Sequence, residues 1–304
     1  MDNLIVHRSI SDLYKALNLP VEQEMDFTIH SLPEIHDHVP FESPTFRADY
    51  YSFVFIKDGR GTYTIDQKTY PTSSGTIYFT NPGHIKAFRI EEIQDAYIIT
   101  LTEAFLKEYV HQDIFDEFPF LLAETVPPKT LSAEEFQDYE HLYLQIFKEF
   151  NARSSYKYKI LGNLFVVMLL KIKERFWSGY DPISEGDRSS QIVKHFKQKL
   201  ASHFRALHNG EIDFLPQVQD LAHQMNLHPN YFSNVIKSKT GRSVNLWIVE
   251  KAITSAKALL KNTPLSIKQI GIQLGFSEPT HFSSYFKKHA GFTPNQYRKE
   301  VTQG

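Results

Sequence analysis

Between about residues 25 and 101, apolar and polar positions alternate in short runs. Residues 50–56 form an aromatic and β-branched run closed by Asp58-Gly59, and residues 61–66 alternate before a turn at Asp66-Gln67-Lys68. Further runs cover 76–80, closed by Asn81-Pro82-Gly83, and 96–101. Short strands at roughly ten-residue spacing predict a sandwich or small barrel. After Thr102 the period becomes helical. Thr102-Glu103-Ala104 starts a helix, Pro127-Pro128 interrupts, and Ser132-Ala133-Glu134-Glu135 has the form of a capping box. Phe136, Tyr139, Leu142, Tyr143, Ile146, Phe147 and Phe150 then recur at intervals that make one broad stripe, and 158–176 reads as a second helix, apolar over more than one face. Such helices serve either as core against the strands or as a dimer interface.

Residues 178–187 are polar and hold two Gly and one Pro, which marks an interdomain linker. The expected domains are 1–177 (barrel about 25–101, helices about 102–177) and 190–304, joined by 178–189. The fold class is thus α+β, a strand-rich domain followed by an all-helical one.

Beyond Ser190 the chain carries an internal repeat. Residues 218–227 match 267–276 at an offset of 49, and 232–237, with Gly241 and Asn245, match 282–287, with Gly291 and Asn295, at an offset of 50. Each copy reads as a short helix, a tight turn and a second helix. In the first, Asn226 suits a left-handed turn position and Pro229 opens the next helix; in the second, Gly275 makes the turn and Ser277 is the expected N-cap. Phe232, Val235 and Ile236, like Phe282, Tyr285 and Phe286, fall on one face and leave polar residues on the other. This is the arithmetic of paired helix-turn-helix motifs, against which stands a plain helical bundle with a duplicated hairpin.

Charge separates these readings. From Arg188 onward 16 Lys and Arg face six Asp and Glu, whereas the rest of the chain has 17 against 29, so a net charge of −2 hides a basic module on an acidic body. A basic face of this kind favours a polyanion partner. The 41% hydrophobic content excludes disorder as the main state, and no apolar run reaches the roughly 18 residues of a membrane helix. Cysteine is absent and the chain start lacks a secretory pattern, so a cytoplasmic protein without disulfides, thiolate zinc sites or a Cys nucleophile is expected.

The arrangement Ile267…Ile270…Leu274-Gly275-Phe276…His281-Phe282-Ser283…Phe286-Lys287-Lys288…Gly291-Phe292-Thr293-Pro294…Tyr297-Arg298 resembles the second helix-turn-helix and C-terminal signature of AraC/XylS-type transcription regulators. The likeness spans about 190–300. It implies a rigid helix from about 244 to 261 between two motifs, double-stranded DNA as partner, and RNA polymerase as a further one. Departures are Val244 for the usual Pro, Ala252 for the usual Arg, and Gly271 for the usual Ala. Base contacts are expected opposite the apolar faces, from Asn230, Ser233 and Asn234 in the first motif and Thr280, His281, Ser283 and Ser284 in the second. Lys237, Lys287 and Lys288 are expected at phosphates or in solvent, and Tyr231 in packing.

The same resemblance implies an N-terminal cupin-like barrel that senses an unidentified small-molecule effector, with neighbouring helices forming a homodimer. Residues 59–66, 75–79 and 81–84 are similar to the strands and turns of such a barrel, and Arg47, Tyr51, Arg60, Tyr63 and Tyr78 are its candidate effector-binding residues, with core packing as the plainer alternative for the tyrosines. His36, His38 and Glu42 have the spacing of a cupin metal motif, with His84 downstream, but Pro40 and Pro44 interrupt any strand there, and a surface loop is the simpler account. No metal, cofactor or catalytic residue is expected, since phosphate loop, partnered nucleophile and dinucleotide fingerprint are all missing. The alternatives are a metal-dependent cupin enzyme fused to a DNA-binding module, and a non-specific architectural DNA binder.

Overall fold

Two long strands dominate the first unit, and both exceed what alternation predicts. The runs at 50–56 and 61–66 are one strand, Tyr51–Ile65, and the run ending at Leu101 belongs to the strand Ile85–Leu101. Asp58-Gly59 therefore does not close a strand. The register between the two strands shifts at Ile56/Asp58, Asp58/Gly59 and Arg60/Gly61, the signature of bulges that bend a strand without ending it. Glycine is required there because the partner backbone is close: a Cβ on Gly61 would lie 2.1 Å from the Arg89 carbonyl oxygen, and one on Gly59 2.8 Å from that of Glu92.

The computed structural model describes residues 4–21, 25–36, 38–65, 68–111, 114–122, 127–178 and 188–303. The turn expected at Asp66-Gln67 and residues 179–187 of the expected linker lie outside the described residues. The chain divides into two units, Met1–Glu185 and Gly186–Gly304.

In the first unit the strands Ile5–His7, Phe46–Ala48, Ile85–Leu101, Tyr51–Ile65, Thr76–Thr80 and Lys129–Thr130 neighbour one another in that order; Phe27–Ser31 and Phe41–Glu42 pair with Ile85–Leu101, and Lys68–Thr72 with Tyr51–Ile65. The sheet is rolled up on itself. On a straight strand Tyr63 would stand about 30 Å from Val54, at about 3.3 Å per residue. Yet its ring lies 4.7 Å from that of Tyr78, the cross-strand partner of Val54.

Strand alternation then gives the roll two faces. Tyr51, Phe53 and Phe55, with Phe27, Ile29, Ile77, Phe79, Ile99 and Leu101, point outward into a core shared with the helices Ala133–Asn151 and Lys157–Phe176. Phe165 meets Phe53 edge-on at 4.9 Å, and Phe53 stacks on Phe79 at 5.1 Å. Val54, Ile56, Tyr78, Ala96 and Ile98 cluster on the inner face. The aromatic stripe of the first helix is spent in the outer core: Tyr139, Leu142, Tyr143 and Ile146 are buried, and Phe136, Phe147 and Phe150 pack against them. The stripe is core of this unit, so those side chains are not free to form the interface that the resemblance implies.

The helix ends follow local chemistry. Ser132 Oγ accepts from the Glu135 amide while the Glu135 carboxylate accepts from the Ser132 amide, closing the capping box. Thr102 caps a short helix, Glu103–Phe105, that continues as a π-helical turn, Leu106–Val110. That turn abuts Gly162, where a Cβ would lie 2.2 Å from the Tyr109 carbonyl oxygen. At the start of the chain the helix Ile10–Ala16 is held to the strand Phe27–Ser31 by a hydrogen bond between the Tyr14 hydroxyl and His30 Nε2.

Two consequences can be measured. In Gly162→Ala, alanine gains about 0.5–1 kcal/mol of helix propensity, but forcing the Tyr109 backbone aside costs about 1–3 kcal/mol; the packing loss wins, and the urea midpoint of the full chain should fall with its m-value unchanged. Burial lowers the pKa of His30, with Glu34 opposing. The folded chain therefore holds the imidazole neutral, whereas the unfolded chain protonates it near pH 6.5. Its contribution to stability is complete above about pH 6.5 and is lost as the pH falls towards the lower folded value, so His30→Asn should show a shallower loss of urea midpoint than the wild type on acidification.

Candidate nucleic-acid interface and barrel interior

The second unit is built on two small cores joined by one helix. The helix Arg188–His208 packs on the first motif, helices Val218–Gln224 and Pro229–Thr240, with the Phe196 ring 5.5 Å from that of Phe232. The helix Val244–Asn262 then gives Val244, Trp247, Ile248 and Ala252 to this core and Ala256, Leu259 and Leu260 to the next. The second core is completed by the second motif, helices Ile267–Gln273 and Pro279–Ala290, and by Phe292 and Tyr297.

The turns have the backbone the repeat requires. Asn226 takes φ 53° and Gly275 φ 81°, both left-handed. His228 caps the first recognition helix through Nδ1, which accepts from the Asn230 amide at 3.3 Å, and Pro229 is at N1. In the second motif the N-cap is Glu278, not Ser277, because Pro279 takes N1 and sets the helix start one residue later. Both recognition helices end on a left-handed glycine, Gly241 and Gly291.

The three departures from the family pattern acquire reasons. Val244 and Ala252 are buried in the first core. Gly271 lets Phe282 approach: a Cβ there would stand 3.0 Å from the Phe282 Cβ.

Contact between the two halves does not run through the helix alone. Gln273 Nε2 donates to the His208 carbonyl at 3.1 Å, and a Cβ on Gly275 would lie 2.6 Å from both the Leu215 amide nitrogen and the Phe214 carbonyl carbon. His203 Nε2 holds the Phe214 carbonyl at 2.9 Å from behind, and Tyr285, from the second recognition helix, packs against the first core. Two supports therefore fix one motif to the other.

With Phe232, Val235 and Ile236 inward, the outward crest of the first recognition helix consists of Asn230, Asn234 and Lys237, all exposed. Thr280, Ser284 and Lys287 repeat this crest on the second, with His281 and Lys288 exposed beside it. Ser233 and Ser283 are half-buried at its edge. Nearby, Arg242 is engaged by Glu250 and stacks 4.6 Å from the Trp247 ring, so it braces the linker helix.

Of the candidate effector residues, the structure brings together Tyr63 and Tyr78 on the inner face. Tyr51 is one residue out of phase and lies in the outer core. Arg60 is exposed on the bulged segment and ion-paired to Glu92 at 2.8 Å and Glu91 at 3.8 Å, so it does not face the interior. Arg47 sits half-buried in the strand Phe46–Ala48, between Val6 and Ile85 in register.

Sequence reasoning missed a row of hydroxyls. Thr28 is paired with Thr100, Thr100 with Ser52 and Ser52 with Thr80, so four neighbouring strands place an OH at one level of one face, all nearly fully buried. Lys86, buried as well, donates from Nζ to Thr80 Oγ1 at 2.8 Å. The parity of Ser52 against Tyr51 and Phe53 was the available signal.

The metal spacing loses its geometric premise. His36 follows the short helix Leu32–Ile35, and its buried ring lies 4.4 Å from that of Phe41 and 5.8 Å from that of Phe88. His36 and His38 are therefore not two positions of one strand, and His38 and Glu42 are exposed. Among the described residues no group of three or more His, Cys, Asp or Glu is placed to hold a metal, and no helix is long and apolar enough to cross a membrane.

Comparison with known proteins agrees with the two-part architecture. Residues 41–143 match the AraC-like ligand-binding domain family and residues 221–300 a helix-turn-helix domain family. The Msm operon regulatory protein of Streptococcus mutans is 23% identical over 85% of this chain and 87% of its own length, and the arabinose operon regulatory protein of Escherichia coli is 24% identical over 79% and 77%. The solved structure of ToxT from Vibrio cholerae aligns with 91% of this chain and 100% of that one at 15% identity and a TM-score of 0.36. Taken with the duplicated motif and the rolled sheet, the two family matches and the regulatory relatives bear out the resemblance read from residues 267–298: the chain belongs to the AraC-type transcription regulators, DNA-binding proteins that join a cupin-like ligand-binding domain to two helix-turn-helix motifs.

Proposed function

We propose that the chain regulates transcription as a homodimer that sets both recognition helices of each protomer into successive major grooves of promoter DNA, in response to an effector held by the inner face of the barrel. The observation that carries this reading is the matched pair of exposed polar crests on one braced scaffold. The 19-residue linker helix spans about 28 Å at about 1.5 Å per residue, comparable to the roughly 34 Å of a DNA turn. Asn230, Asn234, Thr280 and Ser284 would read base edges, with Asn suited to bidentate bonding to adenine. Lys237, Lys287 and Lys288, nearer the helix ends, would meet phosphates.

For the effector, stacked Tyr63 and Tyr78 offer an apolar wall, and Thr28, Ser52, Thr80, Thr100 and Lys86 offer hydrogen bonds. Dimerisation is supported by what the outer core leaves uncovered: Val167 and Leu170 on one helix are 42% and 45% exposed, and Leu144 on its neighbour 41%. The role is regulatory and not enzymatic. The regulatory relatives support that, and a metal-dependent cupin enzyme has little in its favour once His36 is packed against Phe41. A regulator of this kind works in the cytoplasm, at promoters where it meets RNA polymerase.

Selection from a randomised duplex library tests the assignment of the crest. Asn234→Ala should cost about 1–3 kcal/mol on the selected site and relax one base position; Lys237→Ala should weaken all sequences alike and lower the salt slope by about one unit. The reverse pattern would show that the helix is rotated from this placement. Separately, Val167→Asp with Leu170→Asp should convert the full chain to a monomer in sedimentation at micromolar concentration; an unchanged dimer would move the interface elsewhere.

A further inference from the structure

The first recognition helix exposes an aromatic ring that none of the roles above employs. Tyr231 stands at the third position of the helix Pro229–Thr240 and is 43% exposed. It was expected to pack, yet among the described residues its hydroxyl has no intramolecular hydrogen bond and its ring no aromatic or cationic neighbour. That sets it apart from the tyrosines of this unit that do pack: Tyr285 lies against Phe276 and His289, and Tyr297 against Phe286 and Phe292.

Its direction follows from helical geometry. At about 100° per residue, Asn230 and Asn234 lie within about 20° of the direction opposite the buried face, and Tyr231 lies about 80° to one side of it. A helix seated in a major groove turns its crest to the base edges and its flanks to the sugar-phosphate walls. The crest position is a base-reading position; the flank is not. The second motif repeats the arrangement, for His281 occupies the position 50 residues on, is exposed, and its imidazole likewise has no hydrogen bond or ring contact among the described residues. Two segments of different sequence thus present an uncommitted ring with a polar tip at one flank of the first turn.

We infer that Tyr231 is a positioning residue for DNA: its phenol O–H donates to a phosphate oxygen on one wall of the groove and fixes the depth and rotation at which Asn230 and Asn234 meet the bases. This rests on the placement of the recognition helices proposed above. A phenol is a neutral donor. Unlike Lys237, it binds a phosphate without adding a positive charge that releases a counterion, so its loss has a signature of its own.

The test uses the full-length chain, a duplex that the wild type selects from a randomised library, and an unrelated duplex. Tyr231→Phe keeps the ring and removes only the O–H. It should weaken both duplexes by a similar factor, about five- to tenfold, leave the selected base preferences intact, and leave the slope of log affinity against log salt unchanged. Replacing single phosphates by methylphosphonates should reveal one position at which neutralisation weakens the wild type but not Tyr231→Phe. Unchanged affinity of Tyr231→Phe on both duplexes, an altered base preference, or methylphosphonate effects that are identical in wild type and variant would each overturn the inference. Asn234→Ala, run alongside, separates this from failure of the underlying placement. If Asn234→Ala relaxes a base position while Tyr231→Phe is silent, only the phosphate contact is wrong; if both leave binding untouched, the helix is not in the groove.

Discussion

One apolar stripe on one helix makes the DNA-binding unit possible. Val244, Trp247, Ile248 and Ala252 close the first core of that unit, and Ala256, Leu259 and Leu260 close the second. A single helix-turn-helix buries too little apolar surface to offset its chain entropy, and domains below about 40 residues rarely fold without help. Sharing a helix solves this for both motifs at once. It also dictates which faces remain free, since each recognition helix must turn its phenylalanines, Phe232 or Phe282 and Phe286, toward the shared stripe.

In the first unit the corresponding constraint is the parity of a bent strand. Tyr51–Ile65 sends odd positions into the core beneath the helices and even positions inward as far as Ile56, and its glycine bulges then let the same strand turn back over itself. The inner face thereby collects residues that are far apart in sequence, among them Thr28, Tyr63 and Lys86. A rolled sheet with an apolar outer side and hydroxyls inside suits a domain that binds a small molecule while resting on helices.

Much of this was legible in the sequence because the second unit is written in local signals. The duplicated spacing, Asn226 and Gly275 at left-handed positions, Pro229 at N1 and the capping box at Ser132 each act within a few residues. What escaped depends on distant pairing. Asp58-Gly59 has the composition of a turn, and only the backbone of Glu92 and Arg89 opposite makes it a bulge. Residue type groups Tyr51 with Tyr63 and Tyr78, whereas one step of alternation puts it on the other side. Residue type assigns Arg60 to the pocket, whereas Glu91 and Glu92, across the strand pair, hold it at the surface. The hydroxyl row cannot be seen without the register, since its members come from four strands.

The contact of Gly275 with the backbone at Phe214 and Leu215 has a consequence for what kind of information the protein reads. A scaffold braced at two places behaves as a caliper. Each added base pair between two half-sites advances the second groove by about 3.4 Å and turns it by about 34–36°, and a rigid pair of helices cannot follow, so the DNA must twist or bend to restore the phase. Sequence between the half-sites, untouched by any side chain, then acts through its stiffness. With both recognition helices seated as proposed, the protein would sense torsion and length as well as bases.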